Sequence, residues 1–132
     1  MVATLKTAPP QTSRANAPSK PRSIDDSLNW IKSEFYIPER NGPIELHPYQ
    51  EAALREAYRR DERGNFVYSV VVWSDIKKSA KSSIAAAVAL ERMSYANYGS
   101  VKIIGNDIKQ ADSRTAEYAR RAIQLNPKLG AR

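Results

Sequence analysis

Phe66-Val67-Tyr68-Ser69-Val70-Val71-Val72-Trp73, followed by Ser74-Asp75-Ile76-Lys77-Lys78-Ser79-Ala80-Lys81-Ser82-Ser83, is the stretch on which the fold turns. Its first half is β-branched, aromatic and nearly continuous in apolarity, the pattern of a strand covered on both faces. The second half is polar and gives way at Ala80 to an Ala-rich run reaching Tyr95, with Ile84, Val88 and Leu90 in it. That run predicts a helix. Gly99 ends the connection, and Val101 to Gly105 (VKIIG) reads as a second buried strand. Lys109 to Leu125 reads as a further helix, stopped by Pro127, with Ala111, Ala116, Tyr118, Ala119, Ala122, Ile123 and Leu125 available for packing. Strand, helix, strand, helix predicts an α/β fold built on a right-handed parallel crossover.

Upstream, Ser23 with Asp26 three residues later predicts a helix N-cap, and Ile24, Leu28, Ile31 and Phe35 recur at helical spacing behind it. Pro38, Asn41, Gly42 and Pro43 break that pattern. Pro48 opens a second predicted helix to about Arg60, with Tyr49, Ala52, Ala53 and Ala57 expected inside. Gly64 and Asn65 predict a turn. Residues 1–22 are rich in Pro, Ala, Ser and Thr and show no core-forming period, so they are expected to be a disordered basic tail. Residues 23–132 are then the folded part. The tail lacks the apolar run of a secretory signal, and Pro9, Pro10, Pro18 and Pro21 would break a presequence helix.

The chain has 132 residues with 21 Lys+Arg against 14 Asp+Glu, a net charge of +7 that permits an anionic partner. Four of those basic residues and none of the acids lie in the tail, which leaves only +3 for the folded part. There is no cysteine, which excludes disulfides, thiolate metal sites and Cys nucleophiles. The single histidine, His47, stands before Pro48 and reads as part of an extended linker. No run approaches the roughly 18 apolar residues of a membrane span.

The junction after the first predicted strand has the context of a phosphate-binding loop. There, backbone N–H groups at a helix N-terminus wrap the phosphates, a Lys reaches them and the next Ser/Thr hydroxyl ligates Mg²⁺. Lys81 and Ser82 occupy those last two positions. The pattern G-x-x-x-x-G-K-[ST] places glycines at 75 and 80, where this chain has Asp75 and Ala80. The methyl group of Ala80 is tolerable where φ is negative. Lys77, Lys78 and Lys81 together oppose the helix dipole by roughly 0.3–1 kcal/mol each, an arrangement that favours a bound anion. The plain alternative is a basic helix N-terminus with solvated lysines.

Further segments carry a family resemblance. Phe35-Tyr36-Ile37-Pro38-Glu39 and Gly42-Pro43-Ile44-Glu45-Leu46-His47-Pro48-Tyr49-Gln50 resemble the N-terminal part of tailed-phage large terminase subunits. Val70 to Ser82 is similar to that family's divergent Walker A, with Lys77 in place of an Arg and Ala80 in place of a Gly. Gly105-Asn106-Asp107-Ile108-Lys109-Gln110-Ala111 resembles the second strand end and helix start, and Leu125-Asn126-Pro127-Lys128-Leu129 the following helix end. The resemblance covers roughly residues 30–130 and rests on the order and spacing of its motifs.

The resemblance implies a P-loop NTPase-like three-layer fold, incomplete here: the first βαβα portion of a parallel sheet preceded by helices. It implies ATP and Mg²⁺ as cofactors, bound by Gln50 on adenine, by Lys78, Ser79, Ala80, Lys81, Ser82 and Ser83 around the phosphates, and by Ser82 on the metal. Lys77 and Lys81 would be the catalytic cations, although Lys77 lacks the planar fork of an arginine. The implied activity is an ATPase motor driving double-stranded DNA into a procapsid. Its implied partners are the portal protein, the small terminase subunit and further copies in a homo-oligomer, within the cytoplasm of an infected bacterial host. No Walker B strand ending in Asp-Glu and no nuclease carboxylate cluster is present in the sequence, so hydrolysis would need a longer polypeptide. Asp107 and Asp112 read as a turn residue and a first-turn helix acid.

A second class is a non-catalytic basic protein that binds nucleic acid or a packaging partner through the tail and the lysine loop. Gln50 then reads as a surface glutamine. Trp30, Trp73 and the tyrosines read as core, and Arg59, Arg60 and Arg63 with Asp61 and Glu62 as a mixed-charge surface.

Overall fold

Helix α1 (Ile24–Glu34) begins where the sequence places it, because Ser23 and Asp26 satisfy each other's backbone. The Asp26 N–H donates to Ser23 Oγ at 3.0 Å, and the Ser23 N–H donates to Asp26 Oδ2 at 3.2 Å. Its stripe is the predicted one, with Leu28, Ile31 and Phe35 fully buried. Ser23→Ala is expected to cost about 1 kcal/mol of unfolding free energy in a urea titration. The structure, a computed structural model, describes residues 2–4, 22–95, 100–105, 107, 109 and 112–130.

Strands β1 (Val2–Thr4), β2 (Tyr36–Ile37), β3 (Gly42–Pro43) and β4 (Val70–Val72) form two antiparallel pairs. The β2–β3 hairpin turns through Asn41, whose φ of 48° is one of the left-handed positions asparagine tolerates. It delivers the chain to α2 (Pro48–Ala57), and the Ile44 N–H closes onto the Phe35 carbonyl at 2.8 Å. A turn at 61–65 follows, with Gly64 at φ 81° and the N–H groups of Arg63 and Asn65 both donating to Asp61 Oδ1. Helix α3 (Lys81–Tyr95) leads to α4 (Glu117–Leu125), which is entered through a π-helical turn at Asp112–Ala116. A short terminal turn, α5 (Pro127–Gly130), closes the described chain.

Two buried clusters share α1. Ile31 and Phe35 meet Ile44, Ala86, Ala87, Leu90 and Ala122, joining α1 to α3 and α4. Leu28 meets Leu54, Tyr58 and Ile84, joining α1 to α2 and α3. Trp30 and Trp73 pack against these clusters, as their spacing predicts.

Several expectations need correction. The strand predicted over Phe66–Trp73 reduces to β4, since Phe66 bridges back to Arg60 and the Val67 N–H donates to the Arg59 carbonyl at 2.9 Å. Nor is β4 covered on both faces: Val70 is 44 % and Val72 64 % exposed. Its ladder is antiparallel, to residues 2–4 of the expected disordered tail, in the register Val2↔Val72 and Thr4↔Val70. Residues 101–105 are extended without a ladder and Ile104 is 86 % exposed, so the described residues contain no parallel crossover. The VKIIG composition suits a strand, but a strand needs a neighbour to satisfy its backbone.

The inward face of α2 is also turned from the expected one. Gln50, Leu54 and Tyr58 point inside, while Tyr49, Ala52 and Ala53 are exposed. Leu54 and Tyr58 carry more apolar area than the alanines and take the core. Residues 5–21, 96–99, Asn106, Ile108, Gln110 and Ala111 lie outside the described residues, and with them most of the tail and the Gln-Ala helix start.

Candidate phosphate-loop site

The loop from Ser74 to Ala80 joins β4 to the N-terminus of α3. Its backbone has an unusual sign pattern. Lys78 has φ 69° and Ala80 φ 61°, whereas Lys77, Ser79 and Lys81 keep negative φ. Alternation in the sign of φ is the backbone pattern with which successive N–H groups can be turned towards one concave side, as in an anion-binding nest. The negative φ that would make Ala80 cheap is therefore not what the loop adopts. A left-handed alanine costs roughly 1–2 kcal/mol. Ala80→Gly is expected to return about 1 kcal/mol of that, raising the midpoint of urea unfolding without changing its slope.

Lys81 stands at the first position of α3 and reaches back across this loop. Its Nζ donates to the Asp75 carbonyl at 2.6 Å and to the Ile76 carbonyl, with Ser79 Oγ at 3.4 Å. Lys77 and Lys78 are exposed and form no ion pair among the described residues. Ser82 is half-buried beside Lys81, while Ser83 is buried with its hydroxyl against Tyr118. Ser83 thus belongs to the packing between α3 and α4, and the loop's mouth is left to residues 77–82.

Gln50 lies under the loop, only 2 % exposed. Its Oε1 accepts the His47 N–H at 2.9 Å, closing the first turn of α2, and its Nε2 donates to the Ser79 carbonyl at 3.0 Å. The neighbouring Tyr49 hydroxyl donates to Asp75 Oδ2 at 3.1 Å. Asp75 also accepts the Ile76 N–H at 2.7 Å, and this bond, joined by Ser79, Tyr49 and the Lys81 charge, holds its carboxyl below the ordinary range. Tyr49 stacks parallel to His47 with ring centroids 6.0 Å apart. Beside the loop, a cleft of about 440 Å³ runs between Tyr49, Ala53 and Ala57 on α2 and Val70, Val72 and Trp73 at β4.

The structure thus brings Gln50, Lys78, Ser79, Ala80, Lys81 and Ser82 into one locale, with Lys77 on its rim. Tyr49 and Asp75 join the site although no motif marks them; the sequence signals them only by the adjacency of Tyr49 to Gln50 and of Asp75 to the strand end. Among the described residues no group of three or more His, Asp or Glu side chains could hold a metal, and Asp112 is paired with Arg120 at 2.7 Å. Also among them, no helix is long and apolar enough to cross a membrane. Arg59 pairs with Glu56, and Arg60 lies over the Phe66 ring, so this basic cluster is largely engaged. No protein-family profile, curated protein sequence or solved structure matches this chain.

Proposed function

We propose that residues 74–82 bind the phosphates of a nucleotide, with ATP and Mg²⁺ as the intended pair. The observation that carries this reading is the alternation of left-handed Lys78 and Ala80 directly before a fifteen-residue helix that opens on Lys81. Nest N–H groups, the positive end of the α3 dipole and the Lys81 ammonium would converge on one anion. Ser82, next in sequence, would supply the hydroxyl ligand to Mg²⁺. Phosphate oxygens would replace the Asp75 and Ile76 carbonyls as partners of Lys81 with charge-assisted bonds, which are shorter and stronger.

On the family resemblance, the larger role is the ATP-binding part of a terminase-like motor acting on double-stranded DNA in an infected bacterium. Val70–Val72 and residues 101–105 would then be the opening strands of an α/β sheet, paired when the remaining strands are present. Portal protein, small terminase subunit and sister subunits are the partners this role requires. The test begins with the loop itself. MgATP at 100 times its dissociation constant is expected to add about 2.7 kcal/mol of stability, a rise of several degrees in the melting temperature. An unmoved melting curve at millimolar MgATP sinks the nucleotide reading. Binding to a DNA duplex that falls steeply with salt would then favour the basic nucleic-acid-binding alternative, whose support is the exposed Lys77 and Lys78, which form no ion pair among the described residues.

A further inference from the structure

We infer that Gln50 is a positioning residue for the phosphate loop: its buried amide sets the orientation of the Ser79–Ala80 peptide and thereby aims one of the loop's anion-binding N–H groups. The inference deepens the nucleotide reading and assigns Gln50 a role different from contact with a base.

Both ends of the Gln50 amide are used inside the protein. Oε1 caps α2 through the His47 N–H at 2.9 Å, and Nε2 holds the Ser79 carbonyl at 3.0 Å, with Tyr49 Oη at 3.4 Å. At 2 % exposure the side chain offers nothing to a ligand outside. A peptide unit is planar and trans, so its carbonyl and its N–H point in opposite directions. Holding the Ser79 carbonyl towards Gln50 therefore turns the Ala80 N–H away from α2. Ala80 is also the residue kept at φ 61°, a conformation an alanine leaves unless its surroundings hold it there.

Between backbone groups the loop makes one long bond, from the Ser79 N–H to the Ile76 carbonyl at 3.4 Å; the Lys81 ammonium ties down the Asp75 and Ile76 carbonyls at its entry, and at its exit the Ser79 carbonyl is held by Gln50. Tyr49 fastens the other end of the loop through Asp75 at 3.1 Å. The first turn of α2 thus grips the loop at entry and exit. Leu54, one turn further along the same helix, anchors that grip in the core.

The test uses the full chain with Gln50→Met, which keeps the volume and removes both polar ends. Gln50→Glu serves beside it, keeping the acceptor for the His47 N–H while losing the donor to Ser79. Amide hydrogen exchange read residue by residue is expected to speed up at least tenfold over residues 76–82 in both variants, with α1 unchanged. Adding Ala80→Gly should reverse part of that loosening, since glycine holds the left-handed turn without help. Affinities of Gln50→Met for MgATP and for magnesium tripolyphosphate, which has no base, should fall by the same factor, on the order of tenfold. Loop exchange equal to wild type overturns the inference. So does a loss confined to MgATP with tripolyphosphate binding intact, because that is the signature of a base contact. If the wild type binds neither phosphate compound while the loop still loosens in the variants, the positioning role stands and the nucleotide reading falls.

Discussion

Glu91→Ala is expected to lower the unfolding free energy by about 3–5 kcal/mol. Glu91 is fully buried in α3, where one carboxylate oxygen accepts the Tyr58 hydroxyl at 2.9 Å and the other pairs with Arg22 at 3.0 Å. The Tyr58 ring is itself in the core, and burial together with the Glu91 charge pushes its hydroxyl far above the ordinary tyrosine range. Removing the carboxylate strands a buried hydroxyl, takes from Arg22 its ion-pair partner while leaving its contacts to Ser94 and Tyr95, and opens a cavity beside Tyr58. Glu91→Gln retains a hydrogen-bonding group and should cost less than half as much. Urea unfolding of both variants decides the matter, and equal, small losses would show that the network contributes little.

Lys81→Ala is expected to abolish the MgATP-dependent rise in melting temperature, removing about 2.7 kcal/mol of ligand-linked stability at a concentration 100 times the wild-type dissociation constant. Without ligand the variant should lose only about 1 kcal/mol, because the ammonium bonds two loop carbonyls that water can solvate in its place. Large ligand-linked loss with small intrinsic loss distinguishes a phosphate ligand from a structural lysine. Lys81→Arg keeps the charge but widens the head group, so partial retention of the rise separates charge from fit. A Lys81→Ala protein that still responds fully to MgATP would move the anion site elsewhere. Lys77→Ala, at an exposed rim position, should reduce the response by a smaller amount.

Much of the helical framework can be read directly. Ser23 and Asp26 announce α1, Pro48 announces α2, Pro127 ends α4, and the Ile24–Leu28–Ile31–Phe35 stripe identifies the central helix. These signals act within a few residues of themselves, so local chemistry suffices. The candidate loop is also visible, through Lys81 and Ser82 behind an apolar run. Its backbone signs are not, because Lys78 and Ala80 are residues that ordinarily avoid left-handed φ.

The polar interior follows a different logic. Glu91 falls seven residues after Ile84, on the inward stripe of α3, and that phase was the sign that it is buried. Asn126 gives no such sign. It is buried because its Nδ2 donates to the Glu34 carbonyl at 2.7 Å and to Glu34 Oε2 at 3.1 Å, which fastens the end of α4 to the end of α1. That bond, first among several, holds the Glu34 carboxyl below its ordinary value.

The stretch from Phe66 to Ser83 shows both sides of this division. By itself the sequence determined that an apolar run meets a lysine-rich turn and then a helix, since β-branching, alanine content and charge are properties of the residues alone. Tertiary structure decided how much of that run is strand and whom it pairs with, because a ladder is a relation between two segments and residues 2–4 took the position beside Val70–Val72. It also decided the fate of Gln50. Whether an amide faces solvent or clamps a loop carbonyl depends on which face of α2 is buried, and Leu54 and Tyr58 settled that by carrying the larger apolar area into the core.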